Sequence, residues 1–209
     1  NIAIAAAGRL KGGAAKVSVL SSALFGSISG SASANVASTG MVTLPSMRQL
    51  GYPKRIAAAV EAVASTGGQI MPPLMGAGAF VMVELTGIPY TQIILAAALP
   101  AILYFATVWI GVNGYADRHD LKPYRDDMRP AFRTVTTTSL FFAVPFAALL
   151  IVMFSGYTPQ FAAACAIIIA ALLLLTGTDL AFNLTRTRER LMQAAITAGR
   201  QISMIASII

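Results

Sequence analysis

The chain has 209 residues, of which 56% are hydrophobic and only 11% are charged, and its mean hydropathy is +0.72. Because soluble domains carry about 25% charged residues, this composition excludes an ordinary soluble protein. The apolar runs are far longer than the strands of a membrane barrel, so we predict an all-α polytopic membrane protein. The net charge of +7 does not indicate nucleic-acid binding. The basic residues cluster in loops, where they set membrane topology and contact anionic lipid.

The first long apolar run lies between Lys16 and Arg48 and contains 31 uncharged residues. A straight helix of this length would extend about 46 Å, well beyond a hydrocarbon core of about 30 Å. It would also place basic residues on both membrane faces, against the positive-inside rule. The middle of the run, residues 26–35, is rich in Gly and Ser. We therefore predict a re-entrant helical hairpin that enters from the cytoplasmic side along residues 14–27, turns in the Gly/Ser cluster and returns along residues 35–47.

The next apolar segment, residues 56–84, is interrupted by the sequence STGGQIMPPLMGAG. Pro72 and Pro73 remove two backbone donors, and the glycines beside them lower the helix propensity. A plain kink is the alternative, but one proline would be enough to produce it. The long run of helix-breaking residues instead predicts a discontinuous transmembrane helix with an unwound middle.

The rest of the chain alternates apolar segments with charged loops. An apolar segment at 93–112 precedes a loop at 115–133 with five basic and four acidic residues, and the uncharged run 134–178 divides at 155–160 into two spans. With one hairpin and four spans, all fifteen Lys and Arg residues fall on one side of the membrane, as the charge rule requires. An amphipathic helix is predicted over residues 188–198.

The predicted organisation also suggests an internal piece of a longer protein, because the chain begins at Asn1 and stops inside a new apolar segment. The predicted segments are the end of a preceding helix with a basic loop (1–13), the re-entrant hairpin (14–55), the broken transmembrane helix (56–86), a transmembrane helix (87–114), a cytoplasmic loop (115–133), two transmembrane helices (134–178), and a cytoplasmic amphipathic linker (179–209).

Two irregular segments at membrane depth predict an ion and substrate site, because such backbone is tolerated there only around protein or an aqueous cavity. Sodium takes oxygen ligands, which unwound carbonyls and hydroxyls supply. The candidate cation ligands are Ser29, Gly30, Ser31, Asn35, Ser65, Thr66, Gly67 and Gly68. Half-helix N-termini suit a carboxylate substrate. The candidate substrate-binding residues are Ser31, Ser33, Asn35, Gly68 and Pro72. The alternative is that Gly26 and Gly30 form a GxxxG pattern for helix packing alone.

Glu61 is the acidic residue within the first part of the broken helix. A carboxylate inside a span indicates a proton or cation ligand by default. It lies about 7.5 Å from the start of the span, so it could instead reach the cytoplasmic interface or pair with Arg48 or Arg55. Both interpretations stay open.

The sequence gives no indication of an enzyme or of a bound cofactor. His119 is a lone histidine in a charged loop, and Cys165 stands alone in an apolar run, so neither has the spacing of metal ligands. The chain has no Walker motif, zinc-protease motif or serine-hydrolase constellation, which argues against ATP hydrolysis and intramembrane catalysis. The only predicted metal is the transported cation.

Three motifs follow one another in the first half of the chain: ISGS at 28–31, RQLGY at 48–52, and STGGQIMPP at 65–73. Together they resemble the large membrane subunit of tripartite ATP-independent periplasmic (TRAP) transporters, over residues 12 to about 115. The longer string VEAVASTGGQIMPPLMGAGAF resembles the fused-permease branch of that family, which is served by TAXI-type solute-binding proteins.

This resemblance implies the first of two inverted repeats of an elevator-type ion transporter in the bacterial inner membrane. The family imports small organic acids with a sodium gradient, and a periplasmic binding protein delivers the substrate. A small membrane subunit, or its fused equivalent, is a further implied partner. The resemblance places sodium ligands and one wall of the substrate site at residues 29–35 and 65–68, with the other half of the site in the second repeat.

Three other functions remain open from the sequence. The same fold could couple transport to protons instead of sodium. A passive channel is a second alternative, although no pore-forming motif is visible. A purely structural subunit is a third, and the cost of two irregular segments inside a membrane argues against it.

Overall fold

A computed structural model describes residues 2–124, 132–176, 192, 196 and 199. These residues form helices and turns without a β-strand, which confirms the predicted all-α class. Contacts divide the chain into two compact units, residues 1–130 and 131–209, and each is described by itself. The amphipathic helix predicted at 188–198 lies outside the described residues, apart from two single positions.

The first unit contains six α-helices and one 3₁₀ turn among its described residues, and the second contains two described helices. Their bounds are α1 Ile2–Ala7, α2 Gly13–Ser29, α3 Ala32–Gln49, α4 Lys54–Thr66, the 3₁₀ turn Gly67–Gln69, α5 Gly78–Thr86, α6 Tyr90–Arg118, α7 Phe132–Phe154 and α8 Pro159–Thr176.

Helix α2 lies at the centre of the first unit, where it packs against α1, α3, α4, α6 and the 3₁₀ turn. Its partner α3 follows after only two residues, so α2 and α3 form a tight helical hairpin. Gly30 ends α2 in the left-handed conformation, with φ of 60°, and its N–H donates to the carbonyl of Gly26. Ser31 begins α3 as an N-cap whose side chain accepts from the N–H of Ala34. A glycine end followed by a serine cap is a favoured way to stop one helix and start another.

The hairpin turn is shorter than the sequence predicts. The helical arms were expected at 14–27 and 35–47, with the turn between them, and this extent is wrong, because α2 continues to Ser29 and α3 begins at Ala32. The left-handed Gly30 and the cap at Ser31 complete the turn in two residues, so the residues on either side of them stay helical.

The interruption of the next helix also falls later than predicted. Ser65 and Thr66, expected to be unwound, belong to α4, and Gly67–Gln69 form a 3₁₀ turn. Irregular backbone is confined to residues 70–77, which contain Pro72 and Pro73. The α-helix therefore gives way to a 3₁₀ turn at the glycines, and the prolines, which remove two helix donors, keep the following residues irregular.

Helix α6 runs beyond its predicted end at Val112 and includes Tyr115–Arg118, which were expected to be loop. The extension is explained by packing, since Ala116 is fully buried and a Cβ atom at Gly12 would lie 2.3 Å from the Ala116 Cβ. The chain after α6 then folds back, and the N–H of Gly12 donates to the carbonyl of Leu121 at 3.2 Å. The end of α6 and the residues after it therefore pack against the start of α2.

Two described helices, Tyr90–Arg118 and Thr134–Phe154, are long and apolar enough to cross a membrane. In the second unit α7 packs against α8, which is also apolar but shorter over its described part, Pro159–Leu173. The residues between α7 and α8, 155–158, match the predicted division of the long uncharged run.

Candidate functional site

Three helices of the first unit, α2, α3 and α4, pack against one another and share a polar interior. Each contributes polar side chains spaced four residues apart, which places them on one face of the helix. All are fully buried except Thr39, which is partly buried. We call this group the polar core, and its members are Ser18 and Ser22 of α2, Asn35, Thr39 and Thr43 of α3, and Glu61 and Ser65 of α4.

Glu61 occupies the middle of the polar core and is only 1% exposed. Its carboxyl group accepts hydrogen bonds from Ser18 at 2.7 Å, from Thr39 at 2.5 Å and from Thr43. Among the described residues no basic side chain pairs with it. The side chain therefore does not extend to the membrane interface, and the interpretation as a partner of Arg48 or Arg55 is wrong. Three hydroxyl donors satisfy this buried carboxyl group, as burial of a charged or polar group requires.

Asn35 connects the three helices one turn closer to the hairpin turn. Its side-chain Nδ2 donates to the carbonyl of Ser22 at 2.9 Å and, more weakly, to the carbonyl of Ser65 at 3.5 Å. Its own oxygens accept from the Thr39 hydroxyl, at 2.8 Å for the backbone carbonyl and 3.3 Å for Oδ1. The Asn35 amide is thus fixed between α2 and α4 and linked to Glu61 through Thr39.

The hairpin turn and the interrupted helix meet directly. A Cβ atom at Gly26 would lie 2.3 Å from the Cα of Gly68, and one at Gly30 would lie 1.7 Å from the carbonyl oxygen of Met75. The carbonyl of Ser27 accepts a hydrogen bond from the N–H of Leu74 at 3.2 Å. Glycine is required where two backbones approach this closely, because any side chain would separate them.

A cavity of about 1100 Å³ lies beside the hairpin turn, between the irregular segment, α5 and the start of α6. Its polar side chains are Ser29, Ser31, Gln69 and Gln92. The rest of the lining is apolar or glycine and includes Phe80, so the lining carries no charged side chain. The cavity thus offers neutral hydrogen-bond donors together with an apolar wall.

The structure divides the predicted site residues between the cavity and the polar core. Ser29, Gly30 and Ser31 line the cavity, while Asn35, Glu61 and Ser65 are buried in the polar core. The predicted single cluster of cation ligands is therefore not found among the described residues.

The remaining predicted residues occupy other positions. Gly68 lies at the contact with Gly26, and Gly67 faces the ring of Tyr104. Thr66 is exposed, and its hydroxyl donates within α4 to the carbonyl of Ala62. The remaining two are Ser33, which is exposed, and Pro72, which is half-buried.

Sequence reasoning missed several polar residues of both regions. They are Ser18, Ser22, Thr39 and Thr43 in the polar core and Gln69 and Gln92 in the cavity. The polar-core residues could have been predicted from their spacing of four residues on three consecutive helices, because this spacing places side chains on one helix face. The two glutamines gave no comparable signal.

Lys16 is a further buried group that the sequence did not identify, since it was interpreted only as a topology signal. It is 3% exposed, and its Nζ donates to Asn113 Oδ1 at 2.5 Å and lies 5.6 Å from the centre of the Trp109 ring. Asn113 in turn donates to Asp117. These contacts tie the start of α2 to α6, on a different face of α2 from Ser18.

The loop between α3 and α4 is held by Tyr52. Its hydroxyl donates to the carbonyl of Gly12 at 3.1 Å, and its side chain is only 4% exposed. Burial, with a smaller contribution from Tyr115, raises the pKa of Tyr52 to about 12. Burial also raises the pKa of Tyr124, which is 3% exposed.

Comparison with known families identifies the family of the chain. The whole chain, residues 1–209, matches the family described as "Tripartite ATP-independent periplasmic transporter, DctM component". The chain belongs to this family of TRAP transporter large permeases. The resemblance that the motifs indicated is thereby confirmed, and the membrane-embedded class follows from it.

Curated relatives of this TRAP permease chain match it at moderate identity. The "Uncharacterized protein YgiK" of Salmonella typhimurium is 28% identical over 206 residues, which cover 95% of this chain and 45% of that protein. A C4-dicarboxylate TRAP transporter large permease protein of Rhodobacter capsulatus is 38% identical over 73 residues, 35% of this chain and 17% of that protein. An isethionate TRAP transporter permease protein of Oleidesulfovibrio alaskensis is 40% identical over 73 residues, 35% of this chain and 12% of that protein. The chain spans less than half the length of the curated relatives it matches.

Proposed function

We propose that this chain is part of the membrane permease subunit of a secondary transporter that imports small organic acids. A cation gradient drives the import, and a periplasmic solute-binding protein delivers the substrate. Family membership supports this proposal, as do relatives named for C4-dicarboxylate and isethionate transport, both of which are organic anions. We further propose that the binding protein is of the TAXI type and that the permease lies in the bacterial inner membrane.

The hairpin of α2 and α3 is proposed to be re-entrant. Helices of 17 and 18 residues extend about 26 Å, which is shorter than a hydrocarbon core of about 30 Å. A two-residue turn returns the chain to the side from which it came. The hairpin would then hold its turn within the membrane, where irregular backbone needs surrounding protein or a cavity. The cavity beside Ser31 fits this requirement.

The observation that carries the proposal is the isolated, fully buried carboxyl group of Glu61. A buried carboxylate without a basic partner favours uptake of a positive charge, because neutralisation removes the cost of burying a net charge. Sodium is the first candidate, since the carboxylate and the hydroxyls of Ser18, Thr39 and Thr43 are all oxygen ligands at one point. These hydroxyls now donate to Glu61, and they would turn their lone pairs toward a bound ion.

A proton is the second candidate, because the polar core contains a single acidic group among the described residues. This carboxyl group is buried, and its oxygens already accept three hydrogen bonds. A proton needs no space and no further ligands, whereas sodium needs both. Uptake driven by a pH gradient in the absence of sodium would identify the proton, and uptake driven by sodium at equal pH would identify sodium.

The cavity is proposed as one wall of the substrate site. Ser31, the N-cap of α3, lines the cavity, and the positive dipole end of a helix N-terminus suits a carboxylate. Gln69 and Gln92 add two side-chain amides, and the apolar lining suits a carbon skeleton. The other wall would come from the part of the protein outside this chain, and elevator-type movement would carry the site across the membrane.

The test is uptake into proteoliposomes that contain the full-length permease, with its binding protein loaded with the organic acid that it retains. Accumulation against a concentration gradient, dependent on both the binding protein and a sodium or proton gradient, is expected. Equilibration without any cation gradient would instead support a passive channel, and an absence of flux would support a structural subunit. Replacing Ser31 by Phe, which would place an apolar ring in the cavity beside the hairpin turn, should abolish uptake while leaving membrane insertion intact.

A further inference from the structure

The hydroxyl group of Thr39 lies within hydrogen-bonding distance of four oxygen atoms. The three nearest are Glu61 Oε1 at 2.5 Å, the backbone carbonyl of Asn35 at 2.8 Å and Asn35 Oδ1 at 3.3 Å. The fourth is Ser22 Oγ at 3.4 Å, where either hydroxyl can be the donor. A threonine hydroxyl carries one hydrogen, so it donates fully to only one of them at a time. Glu61 and Asn35 therefore compete for the same donor.

The charge of Glu61 decides this competition. A hydrogen bond to an ionised carboxylate is about twice as strong as one to a neutral acceptor, so the Thr39 hydrogen belongs to Glu61 while that group is ionised. When a proton or a bound cation neutralises Glu61, this advantage is lost. The hydrogen is then free for Asn35, whose backbone carbonyl lies one helical turn away in a geometry common for threonine in helices.

A change at Asn35 reaches the contact between the hairpin and the interrupted helix. The Asn35 amide donates to the carbonyls of Ser22 in α2 and Ser65 in α4. It also packs against the backbone of Gly68, since a Cβ atom there would lie 2.8 Å from Asn35 Nδ2. Gly68 in turn is the residue against which Gly26 of the hairpin is packed.

We propose that Thr39 is the positioning residue that transmits neutralisation of Glu61 to Asn35, and thereby to the cavity beside the hairpin turn. This inference rests on the proposed function, because it assumes that Glu61 takes up the coupling cation. It gives a physical route by which cation binding in the polar core changes the region where the substrate is expected to bind. Such a coupling is reciprocal, so occupation of the cavity changes the affinity for the cation by the same factor.

Thr43 provides a matched control on the same face of the same helix. Its hydroxyl donates to Glu61 Oε2 and lies 3.0 Å from the carbonyl of Thr39, and it has no contact with Asn35. Replacing Thr43 by Val removes a donor from Glu61 without removing the link to Asn35. Replacing Thr39 by Val removes both, while Thr39→Ser keeps the hydroxyl.

The experiment measures how accessible the cavity is to a chemical label, so no substrate is needed. Ser29, which lines the cavity, is replaced by Cys in the full-length permease with its other cysteines, including Cys165, removed. The rate of labelling with a polar maleimide is measured in sodium chloride and in choline chloride at fixed pH, and then across a pH series without sodium. This is repeated with Thr39→Val, Thr39→Ser and Thr43→Val.

With Thr39 present, the coupling cation should change the labelling rate about fivefold or more, within the usual range of allosteric coupling. At saturating cation, Thr39→Val should reduce that change to less than about twofold, while Thr39→Ser retains it. Thr43 is itself a proposed cation ligand, so Thr43→Val should need a higher cation concentration but should reach the same maximal change. The inference is overturned if Thr39→Val responds to saturating cation like the parent, or if Thr43→Val loses the maximal change equally. A parent protein that does not respond to either cation also overturns it. The uptake assay described above then decides separately whether cation-coupled transport itself stands.

Discussion

Gly26 of the hairpin and Gly68 of the interrupted helix pack backbone against backbone. A Cβ atom added to Gly26 would lie 2.3 Å from the Gly68 Cα, and one added to Gly68 would lie 2.9 Å from the Gly26 Cα. Neither position can accept a side chain unless the two segments move apart. Within the first unit, this contact joins the hairpin to the interrupted helix, between the polar core and the cavity.

Replacing Gly26 by Ala should therefore destabilise the first unit. Overpacking of a close contact usually costs about 1–3 kcal/mol, and here the obstructing atom is backbone, which cannot swing away. Denaturant unfolding of the full-length protein in detergent measures the loss. Gly111→Ala is the matched control, because that helical glycine has open space around it and should gain up to about 1 kcal/mol from helix propensity. Equal stability of the two variants would show that the backbone contact does not exist.

Replacing Asn35 by Asp should be strongly destabilising, although the two side chains have the same shape. Asp has no N–H group, so the carbonyls of Ser22 and Ser65 lose their donor and face a buried oxygen instead. The expected cost is about 2–4 kcal/mol, measured by the same unfolding assay. Ser33→Asp adds the same charge at an exposed position in the first turn of α3, where it should be tolerated. A tolerated Asn35→Asp would contradict the placement of the amide.

Lys16 and Asn113 should show strong coupling in a double-mutant cycle. Asn113→Leu leaves the buried Lys16 ammonium without its hydrogen-bond acceptor Asn113 Oδ1, at a cost of about 2–3 kcal/mol. In a Lys16→Met background no charge is buried, so the same replacement should cost less than about 1 kcal/mol. Unfolding in detergent of the four proteins of the cycle measures the difference. Equal costs in both backgrounds would mean that Lys16 does not depend on Asn113.

The buried hydroxyl of Tyr52 predicts a loss of stability at alkaline pH. Its folded-state pKa of about 12 lies above the usual value of about 10 for an unfolded chain. The folded state therefore holds this proton more tightly. The resulting stabilisation is fully present below pH 10 and is lost as the pH rises toward 12. Tyr52→Phe should cost about 0.5–1.5 kcal/mol at neutral pH through the lost hydrogen bond to Gly12, but its stability should fall less steeply above pH 10. A parallel pH dependence in both proteins would contradict the assignment.

The sequence predicted the helical class and the family because these depend on strong local signals. The length of the uncharged runs fixed the helical class, and the prolines at 72 and 73 predicted where a helix must stop. The sequence overestimated the turn of the hairpin, because a run of Gly and Ser does not show that Gly30 and Ser31 alone are enough to reverse the chain. In the structure the missing side chain of Gly26 is what allows the helix to pack against Gly68.

The polar core was only partly predictable. Glu61 and Asn35 were among the predicted site residues, but their relationship depends on Thr39, which was not. Whether Glu61 points to the interface or into the bundle is decided by tertiary packing of α2 and α3 against α4, not by its distance from the start of the helix. The four-residue spacing of hydroxyl groups is the signal that would have indicated a buried polar face.

The central claim is that Glu61 takes up the cation whose gradient drives transport. The most direct measurement is uptake by the full-length Glu61→Gln permease, with its loaded binding protein, into proteoliposomes with and without the driving gradient. Gln keeps the size and polarity of the side chain but cannot be neutralised, so accumulation should fall to the level seen without a gradient. Glu84→Gln, at an exposed position in α5, should accumulate substrate like the parent. Gradient-driven accumulation that persists in Glu61→Gln would contradict the claim.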